Sequence, residues 1–297
     1  MVVVDKPAGM TSHDVVSRVR RIVGSRKVGH AGTLDPMATG VLVLGVERAT
    51  RLLGHFLVTD KAYDATVRLG ATTVTDDFEG ETLVRTDASG VTDDDVRNGV
   101  RALTGPLLQR PSTVSAIKVA GVRAHARVRA GEDVELAARP VTVSTFEVHD
   151  VRHSYDDGLA VIDLDVSVVC TSGTYVRALA RDLGADLGVG GHLTALRRTR
   201  VGSFDLAQAR TLDELTADAA EGLVGMSALD AVRGAFGTVS VDAAQAAAVL
   251  HGNAVPLSWL GDDMPGEGLV GVTGPDGTLL SLSAPRDGAL RHLVVFS

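Results

Sequence analysis

Two stretches of strict alternation constrain this chain more than any other feature. Tyr63, Ala65, Val67 and Leu69 alternate with Asp64, Thr66 and Arg68. Ile162, Leu164, Val166 and Val168 alternate with Asp163, Asp165 and Ser167. A period of two puts one strand face in a core and the other in water, so the chain must fold around a sheet with one covered face. Helical signals lie between such stretches. Thr11-Ser12 supplies a hydroxyl cap before a stripe of Val15, Val16, Val19, Ile22 and Val23, and Gly24 follows it. Arg18 and Arg21 point away from that stripe. Thr92 to Leu103 reads as a capped helix stopped by Gly105-Pro106, and a further helix runs from Tyr175 to about Leu187. Thr211-x-x-Glu214 is a capping box. Helices and strands are interspersed without regular βα alternation, which favours an α+β fold with a mixed sheet.

The composition shifts near residue 235. Beyond it come a helix-like Val241–Leu250, the turn His251-Gly252-Asn253, and strand-like pieces at Leu269–Val272, Leu279–Leu282 and Leu293–Phe296. We therefore expect two domains, 1–235 and a small β-rich 236–297. Residues 105–140 are basic and weakly periodic and read as a long loop with some helix, the kind of segment that usually carries function. At 45% hydrophobic and 22% charged residues, the 297-residue chain is not a disordered one. No apolar run approaches the ~18–20 residues needed to span a bilayer. The opening Met1-Val2-Val3-Val4-Asp5-Lys6 breaks too early for a signal-peptide core. Cys170 is the single cysteine, which excludes an internal disulfide or a multi-thiolate metal site. The expectation is a cytoplasmic protein with no membrane association.

The net charge of −8 argues against a polyanionic partner, but its distribution does not. Residues 205–297 hold 12 acids and 4 bases, so residues 1–204 are neutral. Three windows there contain no acid: 15–30, 101–129 and 187–204, with 14 of the 29 bases in 63 residues. If these windows meet in the fold they form an electropositive surface that the overall charge hides. Three separately solvated faces are the alternative.

The densest unusual segment is Gly29-His30-Ala31-Gly32-Thr33-Leu34-Asp35-Pro36-Met37-Ala38-Thr39-Gly40. Pro36 biases Asp35 toward an extended conformation, and the glycines let a ligand approach the backbone. Such a loop suits a carboxylate held at a fixed point. It equally suits an ordinary turn with Asp35 capping a local N–H. It is no phosphate cradle, because G-x-x-x-x-G-K is missing. One His and one Asp fall short of a metal ligand set. No G-x-S-x-G elbow points to a serine hydrolase. A glycosidase would need a second catalytic carboxylate, for which Asp60 or Asp76 could be named, but the basic windows make little sense there.

Lys6-Pro7-Ala8-Gly9-Met10-Thr11-Ser12 followed by the Gly29–Gly40 segment resembles the two N-terminal motifs of the TruB family, the tRNA pseudouridine-55 synthases, where 55 numbers the tRNA nucleotide. The resemblance continues through Asp60-Lys61-Ala62-Tyr63, Gly70–Asp76 and Ser115-Ala116-Ile117-Lys118. It resumes at Ser172-Gly173-Thr174-Tyr175-Val176-Arg177 and Leu196-Arg197-Arg198. It covers roughly residues 1–232, and the tail looks more loosely like the PUA-like RNA-binding domain appended in this family.

The resemblance implies a mixed-sheet pseudouridine synthase domain that isomerises a uridine in the T loop of tRNA, with 105–140 as an RNA-contacting insertion. It implies Asp35 as the catalytic carboxylate and Arg177 as its cationic partner. Tyr63 would stack on the extruded base, Tyr175 and Leu196 would line the pocket, and His30 would wedge into the RNA. Lys6 and Lys118 would be support and phosphate contacts, and with Arg197 and Arg198 the weaker RNA contacts. Breaking C1′–N1 and joining C5 to C1′ needs no redox step, which fits an enzyme without cofactor or metal. The expected partner is the T stem-loop, with no protein partner required and a monomeric enzyme. A non-catalytic tRNA-binding or folding factor on the same scaffold is the alternative, and a carboxylate in an RNA pocket is what such a binder would lack reason to keep. Relatives commonly carry tyrosines in the 105–130 loop where this chain has Val114 and His125.

Overall fold

In the computed structural model, described for residues 1–115, 118–119, 122–123, 136–221, 225–260 and 268–296, the alternating stretches become the centre of one sheet. Lys61–Leu69 lies between Gly191–Val201 and Leu159–Cys170 in a nine-stranded sheet. Its order continues outward to Thr39–Val46 and Val2–Lys6 on one side, and to Arg139–Asp156 and Gly105–Gln109 on the other. Val28–His30 and Phe204–Asp205 pair off this path. Every pairing is antiparallel except that of Gly191–Val201 with Thr39–Val46, so the sheet is mixed.

The covered face is the one the alternation predicts. Tyr63, Ala65, Val67, Leu69, Ile162, Leu164, Val166 and Val168 pack against Leu179 and Leu183 of the helix Val176–Asp186 and Val96 and Val100 of the helix Asp93–Ala102. The wet face carries polar cross-strand pairs. Arg68 meets Asp163 at 2.7 Å, and Thr66 and Ser167 donate at 2.8 Å to Asp165 and Asp64. The helix Ser12–Ile22 has Thr11 as its cap, and its valines lie on Val2, Val4, Leu42 and Leu44. The other side of the same strands, Val3, Val41 and Val43, joins Phe56, Phe204, Leu279 and Leu282. The five-stranded C-terminal sheet thus shares a core with the large one. It runs Thr238–Ser240, Val270–Thr273, Leu279–Arg286, Ala289–Val295, Val255–Pro256, with the helix Ala243–Leu250 capped by Asp242. Among the described residues no helix is long and apolar enough to cross a membrane.

The expectation of a loop from 105 to 140 needs correction at both ends. Gly105–Gln109 is an edge strand paired with Arg139–Val143, whose strand continues to Asp156 as one arm of a long hairpin. Asp157 and Gly158 turn that hairpin, both with positive φ (50° and 82°), as a two-residue turn requires. Lys118–Val119 and Val122–Arg123 pair as a short ribbon. The side chain of Lys118 and all of His125 lie outside the described residues.

A second correction concerns Lys6, expected as a support and phosphate contact, of which the burial contradicts the second. Its side chain is fully buried, and Nζ donates to the carbonyls of Pro7, Met10 and Pro36 at 2.8, 2.7 and 3.2 Å. No phosphate can reach it; it pins the Gly29–Gly40 loop onto the end of the first strand. Burial lowers its pKa to about 8, so the penalty for holding it charged is present in full below pH 8 and is relieved as pH rises toward the unfolded value of 10.5. Lys6→Met should lower stability by about 3 kcal/mol at pH 7, because the Pro7 and Met10 carbonyls lose this donor and Pro36 keeps only the Gly9 N–H, which outweighs the relief of burying an ammonium. The variant should also lack part of the wild-type rise in stability between pH 8 and 10.5. Urea titrations across that range check both, and equal stability at pH 7 would show that the loop does not depend on Lys6.

Candidate active site

The Gly29–Gly40 loop has little regular structure of its own, so its carbonyls need other donors. Arg198, 1% exposed, supplies two, Nη1 to Thr33 at 3.2 Å and Nη2 to Gly32 at 3.2 Å, while its Nε donates to Val41 of the following strand at 2.7 Å. Buried Ser12 exchanges bonds with Leu34, accepting from its N–H at 2.9 Å and donating to its carbonyl at 3.1 Å. The Gly9 N–H reaches Pro36 at 2.9 Å and the Ala38 N–H closes on the Asp35 carbonyl at 3.1 Å. Gly40 has φ +99°, and a Cβ there would collide with the Arg198 backbone, so this junction of loop and sheet requires glycine.

This scaffold presents the Asp35 carboxylate, one-third exposed, to the buried guanidinium of Arg177. Nε lies 3.0 Å from Asp35 Oδ2. The rest of the fork is occupied: Nη1 donates to Thr75 at 2.7 Å and lies 3.4 Å from Asp77 Oδ2, and Nη2 donates to Val114 at 3.1 Å. Asp77, 4% exposed at its side chain, is fixed by Thr75 Oγ1 at 2.5 Å and the Glu79 N–H at 3.1 Å. Arg177 stands in the first turn of its helix, whose start at Tyr175 has no side-chain cap of its own. Buried Gln109 grips that residue from the edge strand, donating to the Tyr175 carbonyl at 3.1 Å and accepting its N–H at 2.8 Å.

Asp35 and Arg177 open onto a cavity of about 300 Å³, also lined by Lys61, Tyr63, Tyr175, Leu196 and Arg198. That is the small end of ligand-pocket volumes. Burial raises the phenols of Tyr63 and Tyr175, so both stay neutral rings. Lys61, 6% exposed, donates to Leu57 and Thr59, both at 2.9 Å, and burial brings its pKa to about 8. A larger concavity of about 650 Å³, between Asp93–Ala102 and Arg139–Asp156, holds none of these groups.

The structure thus brings together Asp35, Tyr63, Tyr175, Arg177 and Leu196. His30 ends a strand at the entrance to the loop, half-buried, its ring edge-on to exposed His13 with centroids 5.7 Å apart. Arg198 is in the cavity wall but, being buried, is a scaffold group and not the surface phosphate contact expected. Arg197 faces the other way, as the next residue in a strand must. It pairs with Asp5 at 2.7 Å and bonds Thr39 on the wet face, so the expectation that both arginines meet RNA together is corrected by the sheet's period. Asp77, Lys61, Ser12 and Gln109 were not singled out from sequence. Only Lys61 and Ser12 sit inside motifs that could have flagged them.

The comparisons with known proteins agree in family. Residues 20–176 match the TruB family pseudouridylate synthase N-terminal domain, 177–232 the tRNA pseudouridylate synthase B C-terminal domain, and 236–297 the tRNA pseudouridine synthase II C-terminal region. A tRNA pseudouridine synthase B of Streptomyces avermitilis is 56% identical, covering 100% of this chain and 96% of its own. That of Streptomyces griseus is 57% identical, covering 100% and 97%. A solved structure described as a Cbf5-Nop10-Gar1 complex superimposes with a TM-score of 0.73 at 26% identity, covering 100% of this chain and 84% of that one.

Burial, and secondarily the charge of His13, lower the pKa of His30 below the usual imidazole value of 6.5. His30 should therefore be neutral at pH 7. Its ring resonances should titrate with a midpoint below 6.5 in a pH series followed by NMR, and His13→Phe should move that midpoint upward. A midpoint above 6.5 in the wild type would mean that the ring is not enclosed as described.

Proposed function

Because the chain belongs to the TruB family of pseudouridylate synthases and isomerises a uridine of tRNA to pseudouridine, we propose that Asp35 is the carboxylate that acts on the sugar or base. The observation that carries this reading is the Asp35–Arg177 pair at the mouth of a cavity walled by Tyr63, Tyr175 and Leu196. The substrate nucleotide we assign is uridine 55 of the T loop, extruded into that cavity. Tyr63 stacks on the base, Leu196 and Tyr175 enclose it, and the His30 ring enters the RNA where the base has left. Asp35 then either attacks C1′ or takes the sugar proton at C2′. In the first route C1′–N1 breaks as Asp35 bonds to C1′, the base turns, and the Asp35–C1′ bond breaks as C5 bonds to C1′. In the second C1′–N1 breaks as the C2′ proton leaves, and Asp35 returns that proton to C2′ as C5 bonds to C1′. In both the proton on C5 then departs and N1 gains one. Atoms balance without oxidant or reductant. Arg177 supplies the countercharge and Asp77, behind it, fixes the guanidinium. The non-catalytic alternative leaves the Asp35–Arg177–Asp77 chain of ion pairs without a purpose.

We assign residues 1–235 to catalysis and 236–297 to RNA binding, and take the enzyme to act as a cytoplasmic monomer with no protein partner. RNA phosphates would meet the first basic window. Arg18, Arg21, Arg26 and Lys27 are exposed and, among the described residues, form no ion pair, whereas Arg68, Arg85, Arg97, Arg152 and Arg181 all do.

Asp35→Asn should abolish pseudouridine formation on unmodified tRNA while leaving tRNA affinity within about twofold. Retention of more than about a tenth of wild-type turnover, a barrier change below roughly 1.4 kcal/mol, would remove Asp35 from the role, and mapping of the product to another nucleotide would remove the T loop. Replacing Arg18 and Arg21 with Ser should make the plot of log affinity against log salt shallower by about 1–2 units, at about 0.7–0.9 per lost phosphate contact. An unchanged slope would place the RNA on another face.

A further inference from the structure

We propose that Arg181 is a positioning residue for the isomerisation, the second rung of an arginine ladder that holds Arg177 on Asp35. The proposal rests on the reading of Asp35 and Arg177 given above. Arg177 and Arg181 are four residues apart on the helix Val176–Asp186, so their side chains leave the same face one turn apart. Both grip the same two segments. Arg177 reaches Thr75 and Asp77 on one and Val114 on the other. Arg181 reaches Asp76 Oδ2 at 3.2 Å on the first and donates to the Arg110 carbonyl at 2.7 Å on the second. Its Nε also donates to Asp182 at 2.9 Å, which fixes the plane of the fork.

What lies between the two rungs explains why one should depend on the other. Asp76 has a left-handed backbone, φ +58°, a conformation uncommon outside glycine and most accessible to Asp and Asn. Its carbonyl accepts the Leu193 N–H at 3.0 Å and its carboxylate meets Arg181. The next residue is Asp77, the buried carboxylate on Arg177. Release of Asp76 would let the turn relax and carry Asp77 with it. On the other segment, Gln109, Arg110 and Val114 are tied in order to Tyr175, Arg181 and Arg177. The segment is therefore held along the helix by four hydrogen bonds, two from Gln109 and one each from Arg181 and Arg177. Among the described residues, the Arg181 side chain forms no ion pair or hydrogen bond with Asp35 or with another residue lining the cavity; it acts through Arg177.

The test is single-turnover pseudouridine formation on unmodified tRNA, normalised to folded protein, with tRNA affinity measured separately. Arg181→Met should slow the chemical step about tenfold with affinity within about twofold. Arg181→Lys, which reaches Asp76 but lacks the fork, should recover part of that loss. In an Arg177→Lys background the Arg181→Met change should cost less than about twofold, since a residue that works through Arg177 has little left to position. An unchanged rate in Arg181→Met, a loss confined to affinity, or full additivity with Arg177→Lys would each overturn the proposal. Wild-type activity in Asp35→Asn would overturn the reading of the catalytic carboxylate instead, and is read in a separate variant.

Discussion

The interaction on which the site depends is the set of hydrogen bonds that buried cations make to backbone carbonyls of the Gly29–Gly40 loop. A loop rich in glycine and proline cannot satisfy its own carbonyls, and an unsatisfied buried carbonyl is costly. Lys6 and Arg198 close that account from two strands on either side of Thr39–Val46, while Ser12 does so from the first turn of a helix. A carboxylate on such a loop is fixed from below by the sheet itself. The geometry of Asp35 is therefore a property of the fold and not of a flexible surface turn.

The same arrangement reconciles an acidic chain with a polyanionic substrate. Among the described residues, the cavity lining holds one carboxylate, Asp35, and three cations, Lys61, Arg177 and Arg198, each cation under a tenth exposed, and Asp77 offsets part of the Arg177 charge from behind. In a low-dielectric wall those charges are poorly screened, so the local field is positive whatever the sum over the chain.

Alternation made the central strands legible because their two faces meet different solvents. Val41-Leu42-Val43-Leu44 gave no such signal, since cores lie on both its faces and erase the period. The long hairpin arm Arg139–Asp156 escaped detection for the opposite reason: much of it is exposed and its pattern is weak. Within the site, Asp35, Tyr63, Tyr175, Arg177 and Leu196 were legible through motif resemblance. Residue type alone could not separate them from a capping Asp, core tyrosines and a surface Arg. Arg197 and Arg198 show the limit of reading charge along a chain. Adjacent in sequence and both in an acid-free window, they are separated by the pleat into a solvent-facing ion pair and a buried scaffold group.

Asp77 was invisible in sequence for a different reason. Its role exists only once the Val176–Asp186 helix is docked against the 75–79 turn, and nothing local distinguishes it from Asp76 or from the acids nearby. Two adjacent aspartates there serve two arginines one helical turn apart. Because the turn at Asp76 is left-handed, the two carboxylates diverge and each meets its own guanidinium. A regular strand would have sent one of them to the opposite face of the sheet. The backbone conformation at one residue thus sets which arginine each carboxylate meets.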